Sequence, residues 1–100
     1  MPAYVVVNVR VNDPVRYSDY IRIAPDSILA HGGRYIARGG QVEVMEGSWS
    51  PARMVILEFP SVERAKASWS SPEYAGPKAL RQATADTELV ILEGLDVPIG

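Results

Sequence analysis

Val5, Val7, Val9 and Val11 stand at every second position of the segment 3–12, while Tyr4, Val6, Asn8, Arg10 and Asn12 fill the places between them. Successive side chains of a strand point to opposite faces, so a β-branched residue at every second place marks a half-buried β-strand. Such a strand cannot stand alone. It needs paired neighbours and a layer of secondary structure over its valine side.

The next segment can supply that layer. Asp13 is placed to cap a helix and Pro14 to occupy its first position, where a missing N–H is harmless. Tyr17, Tyr20 or Ile21, Ala24 and Ile28 follow at helical spacing, and Gly32-Gly33 is the stop signal. Pro25 lies inside the pattern. An interior proline costs about 3 kcal/mol, which predicts a break there and a second short piece from Asp26 to His31.

Arg34 to Arg38 and Gln41 to Glu46 are short strand-like runs around Gly39-Gly40, readable as a hairpin or as one strand bent at a glycine bulge. Residues 47–51 form a loop. Met54 to Phe59 is a strand ended by Pro60, and Ser61 caps a helix from Val62 to about Trp69. Ser71-Pro72 restarts a helix to roughly Gln82, irregular at Pro77. Leu89 to Glu93 is the last strand, so one domain spans 1–95 and 96–100 is a tail.

Strand, helix, strand, strand, helix, strand with short connections is the order of a ferredoxin-like α+β fold, βαββαβ, an antiparallel sheet with its helices on one face. If the valines and Val55-Leu57-Phe59 face the helices, the other face carries Tyr4, Val6, Met54 and Ile56. The simplest cover for so apolar a face is the same face of a second copy.

Composition narrows the function classes. The 100 residues hold 47% hydrophobic and 22% charged side chains with a net charge of −2, ordinary values for a globular domain and without the basic stripe of a nucleic-acid binder. No cysteine is present, which excludes disulfides and thiolate chemistry. No apolar run approaches the roughly 20 residues of a membrane span, and the first residues lack signal-peptide form. A cytoplasmic protein without nucleic-acid or membrane partners is the expectation.

Several blocks resemble one known family. They are Ala3-Tyr4-Val5-Val6-Val7, Asp13-Pro14 with Tyr17 and Tyr20, and the run His31-Gly32-Gly33-Arg34-Tyr35-Ile36-Ala37-Arg38-Gly39-Gly40. Val42-Glu43-Val44-Met45-Glu46-Gly47, Glu58-Phe59-Pro60-Ser61, Ser71-Pro72-Glu73-Tyr74, Leu80-Arg81 and Val90-Ile91-Leu92-Glu93-Gly94 complete the match. Together they are similar to the domain of unknown function family 1330, in the dimeric α/β-barrel superfamily. The resemblance implies a ferredoxin-like subunit that pairs sheet to sheet into a barrel. It implies no catalytic residues, because that superfamily shares a fold and not a chemistry.

The chemistry-bearing residues are few. His31, the single histidine, could act as a general base, but beside Gly32-Gly33 it is better placed to cap a helix end. One histidine without cysteine does not make a metal or haem site, so no metal and no cofactor is expected. Arg34 and Arg38, four apart, fall on one strand face, and Tyr35 and Ala37 on the other. Trp69 has core spacing, whereas Trp49, in a Gly/Ser/Pro loop, should cover a cleft or enter a partner. Asn8, Arg10 and Glu58 lie on the face expected to be open, with Arg10 or Arg38 as the nearest cation for Glu58.

Two readings stand. One is a homodimer with a small cleft at the sheet face, bordered by Asn8, Arg10, His31, Arg38, Trp49 and Glu58. That cleft would take a small organic acid or phenolic molecule and carry out any chemistry without a cofactor. The other is a non-enzymatic structural or ligand-sensing dimer, in which those polar groups satisfy one another.

Overall fold

The computed structural model describes residues 1–96; most of the tail expected at 96–100 lies outside the described residues. The element order is β1 (Ala3–Val11), α1 (Pro14–Ala30), β2 (Arg34–Arg38), β3 (Arg53–Phe59), α2 (Val62–Trp69), α3 (Pro72–Thr84) and β4 (Ala85–Glu93). The sheet runs β2-β3-β1-β4 with every neighbouring pair antiparallel. This is the ferredoxin-like α+β arrangement, with the second helical layer split into α2 and α3 at Ser70-Ser71.

The alternation in β1 sets the core. Val5, Val7 and Val9 are buried with Val55, Leu57 and Phe59 of β3, under Tyr17 and Ile28 of α1, Ala65 of α2 and Tyr74 of α3. Each helix starts where its cap stands. Asp13 accepts from the Arg16 N–H, Ser61 from Arg64 and Ser71 from Tyr74. Helix α1 ends in a Schellman turn: Gly32, at φ +82°, and Gly33 donate their N–H groups to the Leu29 and Ile28 carbonyls.

Four expectations need correction. Helix α1 continues through Pro25 without a break. The proline leaves the Ile21 carbonyl without its helical donor, and the Arg38 guanidinium donates to that oxygen instead, at 2.6 Å. Residues 41–46 form no strand; the connection from β2 to β3 is exposed there, and β2 remains the edge of the sheet. Strand β4 starts at Ala85 rather than Leu89, since β1 offers it nine partners, from Ala3↔Glu93 to Val11↔Ala85.

The fourth concerns Arg34 and Arg38. A register shift at Ile36 makes Arg34 the partner of Glu58 and Arg38 the partner of Val55. One inserted residue reverses the alternation, so Arg34 lies on the open face and Arg38 on the helix face.

Candidate functional site

On the open face, each polar residue singled out by the sequence is already engaged. The Asn8 side chain, 5% exposed, accepts from the Ala52 N–H at 2.8 Å and donates to Glu88 at 3.3 Å. Arg10 donates to the Ser50 carbonyl at 2.7 Å. Together they fasten the end of the long connection onto the sheet. Trp49, just before it, is exposed and borders a depression of about 250 Å³ with Val6, Asn8, Met54, Glu88 and Val90.

Glu58 takes neither of its expected partners. Arg34, its neighbour across the β2–β3 ladder, donates to it at 2.8 Å. That guanidinium holds the Glu58 carboxyl below the usual carboxylate range, with the Tyr4 hydroxyl adding to the effect. The same contact with Glu58 holds the Tyr4 phenol above its ordinary value.

His31 and Arg38 lie on the other side of the sheet. The His31 backbone caps α1 as its position suggested, but its ring turns to Glu73 in the first turn of α3, 3.5 Å away. Arg38 stacks over Tyr35, 4.4 Å from the ring centroid, while bonding the Ile21 carbonyl. The six candidates therefore do not form one cleft.

A different cluster lies between sheet and helices. It surrounds a cavity of about 40 Å³ whose lining includes Tyr17, Tyr20, Tyr35, Tyr74, Arg53 and Arg81, with Arg38 at its exposed edge. That volume admits about three waters, or the head group of a small acid. The Tyr20 and Tyr74 hydroxyls are 2.6 Å apart. Burial, then the neighbouring Tyr74, pushes the Tyr20 phenol far above its ordinary value, and burial also raises Tyr35. These phenols stay protonated and act as hydrogen-bond donors at neutral pH.

The two inner arginines give the cavity its character. Arg81 is 4% exposed; its Nε donates to the Tyr74 hydroxyl at 3.3 Å, and the Tyr74 and Tyr20 phenols together hold the guanidinium in its charged form. Arg53 has a buried Nε without any partner, and its guanidinium sits 5.9 Å from the Tyr17 ring centroid. Neither forms an ion pair among the described residues, and none of the described lining residues is acidic. Arg81 is thus a buried cation without a counter-charge among the described residues, an arrangement that costs several kcal/mol.

Both arginines were detectable in the sequence. Arg53 shares the two-residue period of Val55, Leu57 and Phe59, and Arg81 follows Tyr74 by seven, two helical turns. A cation at a core-facing position was the missed signal.

Architecture and pocket define a ferredoxin-like domain with a cavity lined by tyrosines and arginines under its helices. Residues 2–95 match the domain of unknown function DUF1330, and the chain belongs to that family. Among solved structures, a protein of unknown function from Rhodopseudomonas palustris is 22% identical; the match covers 96% of this chain and 84% of that one, at a TM-score of 0.77. A dimeric ferredoxin-like protein of unknown function from Jannaschia sp. is 15% identical, covering 94% and 100%, at 0.70. SnoaB, a cofactor-independent oxygenase from Streptomyces nogalater, is 8% identical, covering 96% and 95%, at 0.66. No curated protein matches the chain. Among the described residues, no helix is long and apolar enough to cross a membrane, and no cluster of histidine and acidic residues could hold a metal ion.

Proposed function

We propose that the chain forms a homodimer through the open faces of its sheets, and that each subunit binds the carboxylate of a small organic acid between sheet and helices. The cytoplasm, suited to a cysteine-free protein, is part of this reading. The pairing is supported by Val90 and Leu92, each 60% exposed beside Val6 and Tyr4, and by the dimeric relative from Jannaschia. A stable interface of this kind buries more than about 1,200 Å² in total, and light scattering that returned a monomer at micromolar concentration would remove it.

Binding rests on one observation: buried Arg81 and half-buried Arg53 line one cavity, and neither has a carboxylate partner among the described residues. Small acids fit that lack better than phosphates do, because the cavity is narrow and its remaining donors are phenols. The fold shared with SnoaB suggests a second reading, a cofactor-free reaction on the bound acid. Against it, none of the described lining residues is a carboxylate or histidine that could take up a proton near neutrality. The earlier cleft of Asn8, Arg10, Trp49 and Glu58 belongs in this proposal to the subunit interface.

The test is thermal melting with acetate against chloride at matched ionic strength, for the wild type and Arg53→Met. Ligand at 100 times its Kd stabilises by about 2.7 kcal/mol, a shift of many degrees for a domain of this size. The wild type should respond to acetate, and Arg53→Met should start higher and respond little. Equal responses from both proteins would overturn the reading.

A further inference from the structure

Arg81 is shared between two spaces. On one side it lines the inner cavity; on the other it forms the floor of a wider groove between α2, α3 and β4, bordered by Lys66, Trp69, Gln82, Thr87 and Leu89. Leu89 lines both spaces as well. The groove holds about 700 Å³, within the range of about 300–1,000 Å³ usual for small-molecule sites, whereas the cavity alone admits only a head group.

The groove has the chemistry of a tail site. Trp69 is partly exposed, with the Lys78 ammonium 3.7 Å from its ring centroid and bonded to its carbonyl, so the indole is held in place. Leu89 and Ile91 continue the apolar wall. A guanidinium has five N–H donors, and the phenols of Tyr74 and Tyr20 do not occupy them all.

Building on the proposed carboxylate site, we infer that its ligand is a monocarboxylic acid with an aromatic or apolar tail about one phenyl ring long. Its carboxylate meets Arg81, and its tail lies along Trp69, Leu89 and Ile91. The β4 side of the molecule, not the open sheet face, is then the route of entry.

Trp49→Phe leaves Trp69 as the single tryptophan, because the chain has two. Position 49 lies on the open face that the proposed dimer covers, so Phe is chosen to keep an apolar ring there, and light scattering checks that the variant pairs as the wild type does. Acetate and 3-phenylpropionate are titrated into this protein, following Trp69 emission and melting temperature. The expected result is a saturable change in Trp69 emission with 3-phenylpropionate alone, at an affinity at least tenfold above acetate. Arg81→Met, or Arg81→Lys if the first does not fold, should lose most of that affinity.

Equal stabilisation by both acids with a silent Trp69 overturns the tail site and leaves the carboxylate site standing. A Trp69 response that survives both Arg81 substitutions overturns it too, since the tail would then bind without its anchor. No effect of either acid on either readout removes the carboxylate site and this inference together.

Discussion

Replacing Arg38 tests how a proline survives in the middle of α1. The Ile21 carbonyl would bond the N–H of residue 25, but Pro25 has none, and Arg38 Nη2 fills the gap at 2.6 Å. Arg38→Met removes that charged donor and the stacking over Tyr35. A hydrogen bond to a charged group contributes about 1.5–3 kcal/mol, and an exposed cation–π contact about 0.5–1. Arg38 is exposed, so the low end applies, and a loss of about 2 kcal/mol is expected.

Pro25→Ala restores the missing N–H. It should stabilise the protein by roughly 1 kcal/mol or more, after allowing for the stiffness that proline gives the unfolded chain. In that background Arg38 is redundant at Ile21, so Arg38→Met should cost at least about 1 kcal/mol less than in the wild type. Urea denaturation followed by helical circular dichroism gives all four stabilities of the cycle. Strictly additive effects would show that Arg38 does not compensate for Pro25, and a destabilised Pro25→Ala would refute the account of the helix itself.

Two further outcomes follow from the packing and the charges. Gly33 lies against Phe59, where an added Cβ would stand 2.6 Å from two ring atoms and 2.9 Å from Ile28, so Gly33→Ala should lower stability by about 1–3 kcal/mol in the same urea assay. Glu58, beside Arg34, and Glu73, held mainly by a backbone hydrogen bond and then by His31, have folded-state pKa values below the ordinary 4.5. A depressed carboxyl stabilises above the unfolded value and loses that contribution as pH falls through the folded one. The urea midpoint should therefore decline below about pH 5, and Glu58→Gln should flatten that decline; an unchanged acid limb would discount the Arg34 pair.

The sequence made β1, β3 and the three caps legible because these depend on neighbours one to four positions away. Pro25 was misjudged because its compensation comes from Arg38, on another element, and no local rule contains it. Residues 41–46 alternate like a strand, yet they leave the outer edge of β2 unpaired, and alternation alone does not decide whether a segment joins a sheet. The faces of Arg34 and Arg38 turned on one extra residue at Ile36, which a period-two count cannot locate. The inner arginines are a different kind of miss. Arg53 and Arg81 occupy core-facing positions by their spacing from Val55 and Tyr74, so the period itself carries the signal.

The contrast between the two faces carries the functional argument. On the open side Glu58 has Arg34, Asn8 has Glu88 and the Ala52 N–H, and Arg10 has the Ser50 carbonyl. Such groups need no ligand to explain them. On the helix side Arg38 is explained by Pro25, but Arg53 and Arg81 are not. The Tyr17 ring, 5.9 Å from the Arg53 guanidinium, is at the limit of useful cation–π attraction, and Arg81 has only the phenols of Tyr74 and Tyr20 where five donors are available. Contacts of that quality contribute about 1 kcal/mol each, against several for burying an unpaired cation. A fold that needed only packing at position 81 would be more stable with Met or Leu there. The proposed carboxylate would supply the counter-charge that Arg81, and Arg53 on the same cavity, lack among the described residues.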